Sequence, residues 1–107
     1  MKIGVVIGTN DGETVWNAFR FGVAALKAGH KAEVFLINKG VEAEDIVDGK
    51  HDVKGQLAAF AQAGGELKAC GTCLKARQKE GSEACPLSTM NDLVKLAEEC
   101  DKVLTFG

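Results

Sequence analysis

The sequence contains no tyrosine, a single proline and a single tryptophan. Aromatic side chains are the usual stacking partners of flavin rings and nucleobases, and proline-rich segments bind extended recognition modules. The loop after the first apolar run also lacks the glycine spacings of dinucleotide-binding and phosphate-binding loops. The scarcity of aromatic side chains and the absence of these glycine motifs argue against a flavin or nucleotide cofactor, and we expect no organic cofactor.

The sequence also lacks an excess of charge of either sign. It has 13 basic and 15 acidic residues, which gives a net charge of −2. Proteins that bind nucleic acid or anionic membranes usually carry a strongly basic face, because they must neutralise phosphates. The charge balance therefore predicts neither nucleic-acid nor membrane partners.

No long hydrophobic run is present. The apolar run after Met1 and Lys2 ends at Ile7, which is too short for the core of a signal peptide or for a membrane span. We therefore expect a cytoplasmic protein, in a compartment where thiols stay reduced. The four cysteines then indicate catalysis, redox work or metal binding before structural disulfides.

Strand patterns alternate with helix patterns along the whole chain, and 107 residues are of the size of one domain. This alternation predicts an α/β protein, a three-layer α/β/α sandwich with a mostly parallel sheet, because parallel strands need crossover helices on both faces. Four strands are evident from the residues alone. They are predicted at residues 2–8, 31–37, 66–69 and 101–106, and helices at 13–28, 41–46, 53–63, 72–79 and 90–99.

Polar loops follow three of the predicted strands. In an open parallel sheet the ligand crevice lies at the carboxyl ends of the strands, so these loops form the candidate site. The candidate binding residues in them are Thr9, Asn10, Lys39, Gly71, Thr72 and Arg77.

Cys70 is the residue in these loops most suited to chemistry. It follows the apolar run 67–69 and precedes a predicted helix, and a thiolate at a helix start is stabilised by backbone N–H groups. Lys68, Lys75, Arg77 and Lys79 add positive charge nearby. Cys70 is therefore predicted to be a reactive thiol.

Cys70 and Cys73 form a C-x-x-C pair, a pattern with three chemical uses. One is dithiol–disulfide exchange, although the position of the pair after the third strand argues against a thioredoxin fold. Another is zinc binding, for which Cys85 and Cys100 are too isolated to form a second knuckle, so we predict no metal site. The third is sulfur transfer, in which a thiolate takes sulfane sulfur as a persulfide. Cys73 or Cys85 would then either take part or be bystanders.

Several segments together resemble the DsrE/DsrF-like sulfur-relay family, and within it the YchN-like subgroup. They are the opening apolar run, the element Cys70-x-Thr72-Cys73-x-x-x-Arg77, the helix that follows Pro86-Leu87, and the ending from Asp101 to Phe106. The resemblance implies one DsrE/F-like domain over residues 1–107. It also implies about five strands, the fifth short and near residues 83–84, and assembly into trimers or hexamers.

The resemblance further implies what the site does. The cysteine that carries the persulfide in sulfur-relay members aligns with Cys70. The protein would then be a cytoplasmic sulfur carrier, which as an enzyme would be a sulfurtransferase, and Cys73 would be an accessory thiol. Its partners would be sulfur donor and acceptor proteins. The alternatives are a non-catalytic oligomeric binding protein, or a dithiol redox or metal protein that uses the Cys70–Cys73 pair.

Overall fold

A computed structural model describes residues 1–82 and 85–107. These residues form a five-stranded sheet in the order β4-β3-β2-β1-β5, and all neighbouring strands are parallel. The predicted α/β sandwich is thereby confirmed. The elements are β1 (Lys2–Ile7), α1 (Gly12–Lys27), β2 (Lys31–Leu36), a 3-10 helix (Asn38–Asp45), α2 (Val53–Gln62), β3 (Glu66–Cys70), α3 (Gly71–Ala76), β4 (Leu87–Ser88), α4 (Met90–Glu99) and β5 (Lys102–Phe106).

The fifth strand is β4, at the edge of the sheet. It was expected near residues 83–84, which lie outside the described residues, and the structure has a strand at Leu87–Ser88. Only two positions pair it with β3, Ala69 with Leu87 and Cys70 with Ser88. Cys70 therefore lies at the end of the β3–β4 pairing, which few hydrogen bonds stabilise.

The direction of the chain across the sheet distributes the helices over its two faces. β1 to β4 follow one another towards one edge, and the chain then returns to place β5 beside β1. Right-handed crossovers therefore put α1 and α2 on one face and α4 on the other. Gly4 faces α4, since a Cβ there would lie 2.5 Å from Leu96 Cδ2.

The main core lies between the sheet and the α1–α2 layer. Phe19 of α1 and Phe60 of α2 are both fully buried and meet edge to face, with ring centroids 5.7 Å apart. Burying a side chain of this size contributes roughly 1.5–3 kcal/mol. Val5, Ile7, Val34 and Leu36 supply the sheet side of this core.

The opposite face carries, under α4, an ionic cluster around one buried carboxylate. Glu33 of β2 is only 3% exposed. Its carboxylate lies 3.5 Å from the Lys2 ammonium of β1 and 3.4 Å from the Lys68 ammonium of β3. Lys2 also reaches the exposed Glu99 of α4, at 3.2 Å. One carboxylate therefore links three adjacent strands through its two lysines.

Residues with short polar side chains fix the starts of the helices. Asp11 caps α1, because its side chain accepts the hydrogen bond from the Thr14 N–H. Thr89 caps α4 in a capping box with Asp92. Among the residues that the structure describes, no helix is both long enough and apolar enough to cross a membrane.

Candidate functional site

Cys70 is both the last residue of β3 and the N-cap of α3. Its side chain is shielded, because the residue is only 3% exposed. The helix that follows has six residues, fewer than predicted, and a dipole this short offers less support to a thiolate than a full helix. The site is thus a covered thiol at the carboxyl edge of the sheet.

Cys73 is the more accessible member of the pair and is half-buried. Its Sγ accepts a hydrogen bond from the backbone N–H of Asn38, at 3.3 Å. Burial raises the pKa of the Cys73 thiol; the Asn38 N–H opposes this, and the neighbouring Cys70 side chain adds to it. Cys73 is therefore an uncharged thiol at neutral pH, and its sulfur is a neighbour of the Cys70 sulfur.

Asn38 directs its N–H at Cys73 because of an unusual backbone conformation. Its φ is +54°, in the left-handed region that asparagine tolerates better than most residues. The sequence indicated only a loop at residues 38–40 and did not single out Asn38. The Asn-Lys-Gly turn was the available signal, but its donor is a main-chain group that no side-chain pattern reveals.

Arg77 joins α3 to two other loops of the site. Its Nε donates to Glu42 Oε2 at 2.7 Å, and its Nη1 donates to the Cys73 carbonyl at 3.1 Å. The same carboxylate accepts a hydrogen bond from Asn10 Nδ2 at 3.3 Å. Arg77 and Asn10, which we expected to bind a ligand, therefore connect the β1, β2 and β3 loops through Glu42.

The Glu42 carboxylate should make stability depend on acid pH. Hydrogen bonds from Arg77 first, and from Asn10 next, hold the pKa of Glu42 below its ordinary value of 4.5. A carboxyl group whose pKa is lower in the folded state than in the unfolded state stabilises the fold at pH values above its unfolded-state pKa. This stabilisation is lost as the pH falls through the folded-state pKa. We therefore expect wild type to lose stability as the pH falls below 4.5, the ordinary pKa of glutamate. Denaturant titrations repeated from pH 6 downwards, in steps on the order of one pH unit, measure this loss.

Glu42→Gln should remove part of this acid-dependent loss while lowering stability at neutral pH. The matched control is Glu98→Gln, at an exposed position of α4, which should keep the wild-type slope. Identical acid slopes in wild type and Glu42→Gln would contradict the assigned role of the bridge.

The remaining predicted residues lie in three different places. Thr9 Oγ1 accepts a hydrogen bond from the Asp11 N–H at 3.1 Å, so it shapes the turn before α1. Lys39 is exposed, and its side chain makes no hydrogen bond or ion pair within residues 1–82 and 85–107. Gly71 and Thr72 line a groove of about 290 Å³ between the starts of α3 and α4, together with Lys75, Leu87, Ser88, Thr89 and Met90.

Two acidic residues of the 3-10 helix contact the segment after α3. Asp45 pairs with Lys79, and Glu44 accepts a hydrogen bond from the Ser82 hydroxyl at 2.7 Å. The basic residues of the predicted helix 72–79 were the available signal for such pairing.

Cys85 and Cys100 lie apart from the Cys70–Cys73 pair. Cys85 is buried beside a cavity of about 250 Å³ that Val41, Glu44 and Leu74 also line. Burial first, and then Glu44, raises the pKa of Cys85 to about 12. Cys100 packs against Gly4 under α4, and burial raises the pKa of its thiol. In the part of the chain that the structure covers, no group of three or more His, Cys, Asp or Glu residues is arranged to hold a metal ion.

The fold and the site define a class: a three-layer α/β/α protein with a cysteine at the carboxyl edge of its parallel sheet. A model of the DsrE/DsrF-like family matches residues 1–106, and the chain belongs to that family. An uncharacterized protein of Methanopyrus kandleri is 36% identical over 100 residues, which are 88% of this chain and 83% of the relative. One of Methanocaldococcus jannaschii is 33% identical over 100 residues, 88% of each chain.

Solved structures share the fold. The ychN protein of E. coli superimposes with a TM-score of 0.80 at 22% identity, covering 98% of this chain and 97% of that chain. A conserved protein of unknown function from Bacteroides thetaiotaomicron gives a TM-score of 0.78 at 17% identity, covering 98% and 94%. The resemblance to YchN-like proteins that the sequence suggested is therefore matched by the fold.

Proposed function

We propose that this protein is a cytoplasmic sulfur carrier that holds sulfane sulfur as a persulfide on Cys70 and passes it to a partner thiol. The observation that carries the proposal is the position of Cys70 at the carboxyl edge of the sheet, in a chain of the DsrE/DsrF-like family. That family is generally related to sulfur relay, and the edge is where open parallel sheets carry their chemistry.

The proposed chemistry needs only thiols. The Cys70 thiolate attacks the outer sulfur of a donor persulfide, the S–S bond of the donor breaks, and the donor leaves as a thiolate. An acceptor thiolate then attacks the outer sulfur on Cys70 and restores the Cys70 thiolate. Donor and acceptor are accordingly proteins that present cysteines, and neither step changes the total number of S–S bonds.

Burial of Cys70 supports a carrier rather than a general reductant. At 3% exposure a persulfide there is protected from stray thiols in solution. Access requires a local opening, and β4 is the part that opens most readily, because two pairing positions hold it to β3. The groove between the starts of α3 and α4 lies beside that strand, and we propose it as the path of the donor.

The test is sulfur loading followed by intact mass spectrometry. Wild type, Cys70→Ser and Cys100→Ser are incubated with glutathione persulfide without oxygen, desalted and weighed, and the modified peptide is identified. We expect wild type and Cys100→Ser to gain sulfur at Cys70 and Cys70→Ser to gain none there. If Cys70→Ser gains as much sulfur as the parent protein, Cys70 is not the carrier.

A non-catalytic binding role has one observation in its favour, a group of exposed apolar side chains. Leu87, Met90 and Val94 are 52%, 53% and 52% exposed and lie on β4 and α4. We propose that the chain assembles with itself, as a trimer or hexamer, whichever function it has. Light scattering after size exclusion measures the mass directly, and a monomer at micromolar concentration would contradict self-assembly.

A further inference from the structure

We propose that Cys73 is the resolving thiol of the site: it attacks the Cys70 persulfide, releases sulfide and leaves a Cys70–Cys73 disulfide. This inference rests on the proposed function and adds a fate for sulfur that no acceptor collects. The site would then hold its cargo for a limited time and end in an oxidised, empty state.

Geometry puts the two cysteines in the right relation. Cys70 is the N-cap of α3 and Cys73 is three residues later in the same helix, a spacing at which side chains share one face with Cβ atoms about 5–6 Å apart. A disulfide needs Cβ atoms about 3.5–4.5 Å apart, so a small rotation of the first turn closes it. Both thiols are free in the structure.

The Asn38 N–H gives Cys73 a feature that suits a nucleophile. Its hydrogen bond to Cys73 Sγ, at 3.3 Å, stabilises the developing thiolate, since a donor to sulfur favours the charged form. Arg77 holds the Cys73 carbonyl through its Nη1 and so fixes the turn that bears the thiol. The attacking sulfur is thereby held in place next to Cys70.

The other two cysteines are poorly placed for this role. Cys85 lies beside a cavity that Glu44 and Leu74 also line and that neither Cys70 nor Cys73 lines. Cys100 lies on the face of the sheet that α4 covers, against Gly4 of β1. The choice between Cys73 and Cys85, which the sequence left open, therefore falls on Cys73.

The resolving step is balanced without an external oxidant. The Cys73 thiolate attacks Cys70 Sγ, the inner sulfur of the persulfide, and the bond between Sγ and the outer sulfur breaks. The outer sulfur leaves as hydrosulfide and takes up the electron pair, so it is reduced, while the two cysteine sulfurs are oxidised to a disulfide. A dithiol reductant would return the pair to the free thiols.

The experiment follows sulfur and sulfide together. Wild type, Cys73→Ser and Cys85→Ser are loaded with glutathione persulfide without oxygen, freed of donor and sampled over time. Released sulfide is measured with monobromobimane, and non-reducing peptide maps report the disulfide. Serine keeps an acceptor for the Asn38 N–H, so Cys73→Ser should fold, and circular dichroism checks this.

We expect wild type and Cys85→Ser to release one sulfide for each persulfide lost and to form the Cys70–Cys73 disulfide. Cys73→Ser should keep its Cys70 persulfide at least about tenfold longer, because the intramolecular attack is lost. Sulfide release by wild type should also accelerate with rising pH as Cys73 ionises, and Cys73→Ser should lack this acceleration.

The outcomes separate this inference from the proposed function. If wild type keeps its persulfide as long as Cys73→Ser does and forms no disulfide, the resolving role is wrong and the carrier function stands. If Cys85→Ser alone keeps the persulfide, the resolving thiol is Cys85. If no variant with Cys70 intact takes up sulfur there, the carrier function itself is wrong.

Discussion

Replacing Gly40 by alanine should destabilise the protein by about 3 kcal/mol, the upper end of the usual effect of overpacking. Gly40 is buried in the 3-10 helix, and a Cβ there would lie 2.1 Å from the Ile7 carbonyl oxygen and 2.8 Å from its carbon. Both atoms are backbone at the end of β1, so they cannot move aside as a flexible side chain would. The 3-10 helix must instead shift away from the sheet.

This shift should also change the site, because the same 3-10 helix carries Asn38 and Glu42. Moving it lengthens the Asn38 N–H···Sγ contact and the Glu42–Arg77 ion pair, which uncovers Cys73. We therefore expect Gly40→Ala to alkylate faster with iodoacetamide at Cys73 than wild type does, in addition to unfolding at lower urea concentration.

Gly49→Ala is the matched control, since an added Cβ at Gly49 meets no atom within 4 Å. It should stay within about 0.5 kcal/mol of wild type and keep the wild-type alkylation rate. A Gly40→Ala protein as stable as Gly49→Ala would contradict the close packing of the 3-10 helix on β1.

Removing both lysines that surround Glu33 should also be strongly destabilising. In the double variant Lys2→Met/Lys68→Met the carboxylate stays buried on β2 without a cation, and uncompensated buried charges cost about 3–5 kcal/mol. The two lysine side chains are 24% and 34% exposed, so solvent already weakens these pairs, and we expect about 3 kcal/mol, the low end of the range. Urea denaturation at neutral pH measures the loss.

The triple variant Lys2→Met/Glu33→Met/Lys68→Met tests the cause of that loss. It removes the buried charge as well, and replacing a whole buried ion cluster by apolar side chains is often neutral, so most of the stability should return. Lys54→Met/Lys95→Met, at two exposed positions, controls for the change in net charge. A triple variant less stable than the double variant would show that the carboxylate is not the source of the loss.

Local patterns were sufficient to predict most elements of the fold. The last helix was predicted at 90–99 and found at Met90–Glu99, because a capping threonine and an apolar face mark it clearly. Helix α3 was predicted to reach residue 79 but ends at Ala76. Gln78 has a φ of +55°, which stops the helix, and Arg77 bonds to Glu42 at that point.

The candidate site was predictable only where its residues are close in sequence. The Cys70–Cys73 pair follows from its spacing and from the strand that precedes it. The two contacts that organise the pair, Asn38 N–H to Cys73 and Arg77 to Glu42, each join residues 35 positions apart. One involves a main-chain donor, and the other involves acidic and basic residues that surface charge explains equally well. Neither leaves a signal in a local pattern.

The Asn10–Glu42–Arg77 connection has a consequence for how this chain tolerates change. The three side chains come from different loops and share one carboxylate, so the effect of altering one depends on the state of the others. Substitutions of Asn10 and Arg77 should therefore combine non-additively in a double-mutant cycle. Once Glu42 has been replaced, substituting either of them should cost less. Sequence drift at this edge should accordingly proceed by linked replacements, with Glu42 constraining which changes are acceptable at the other two positions.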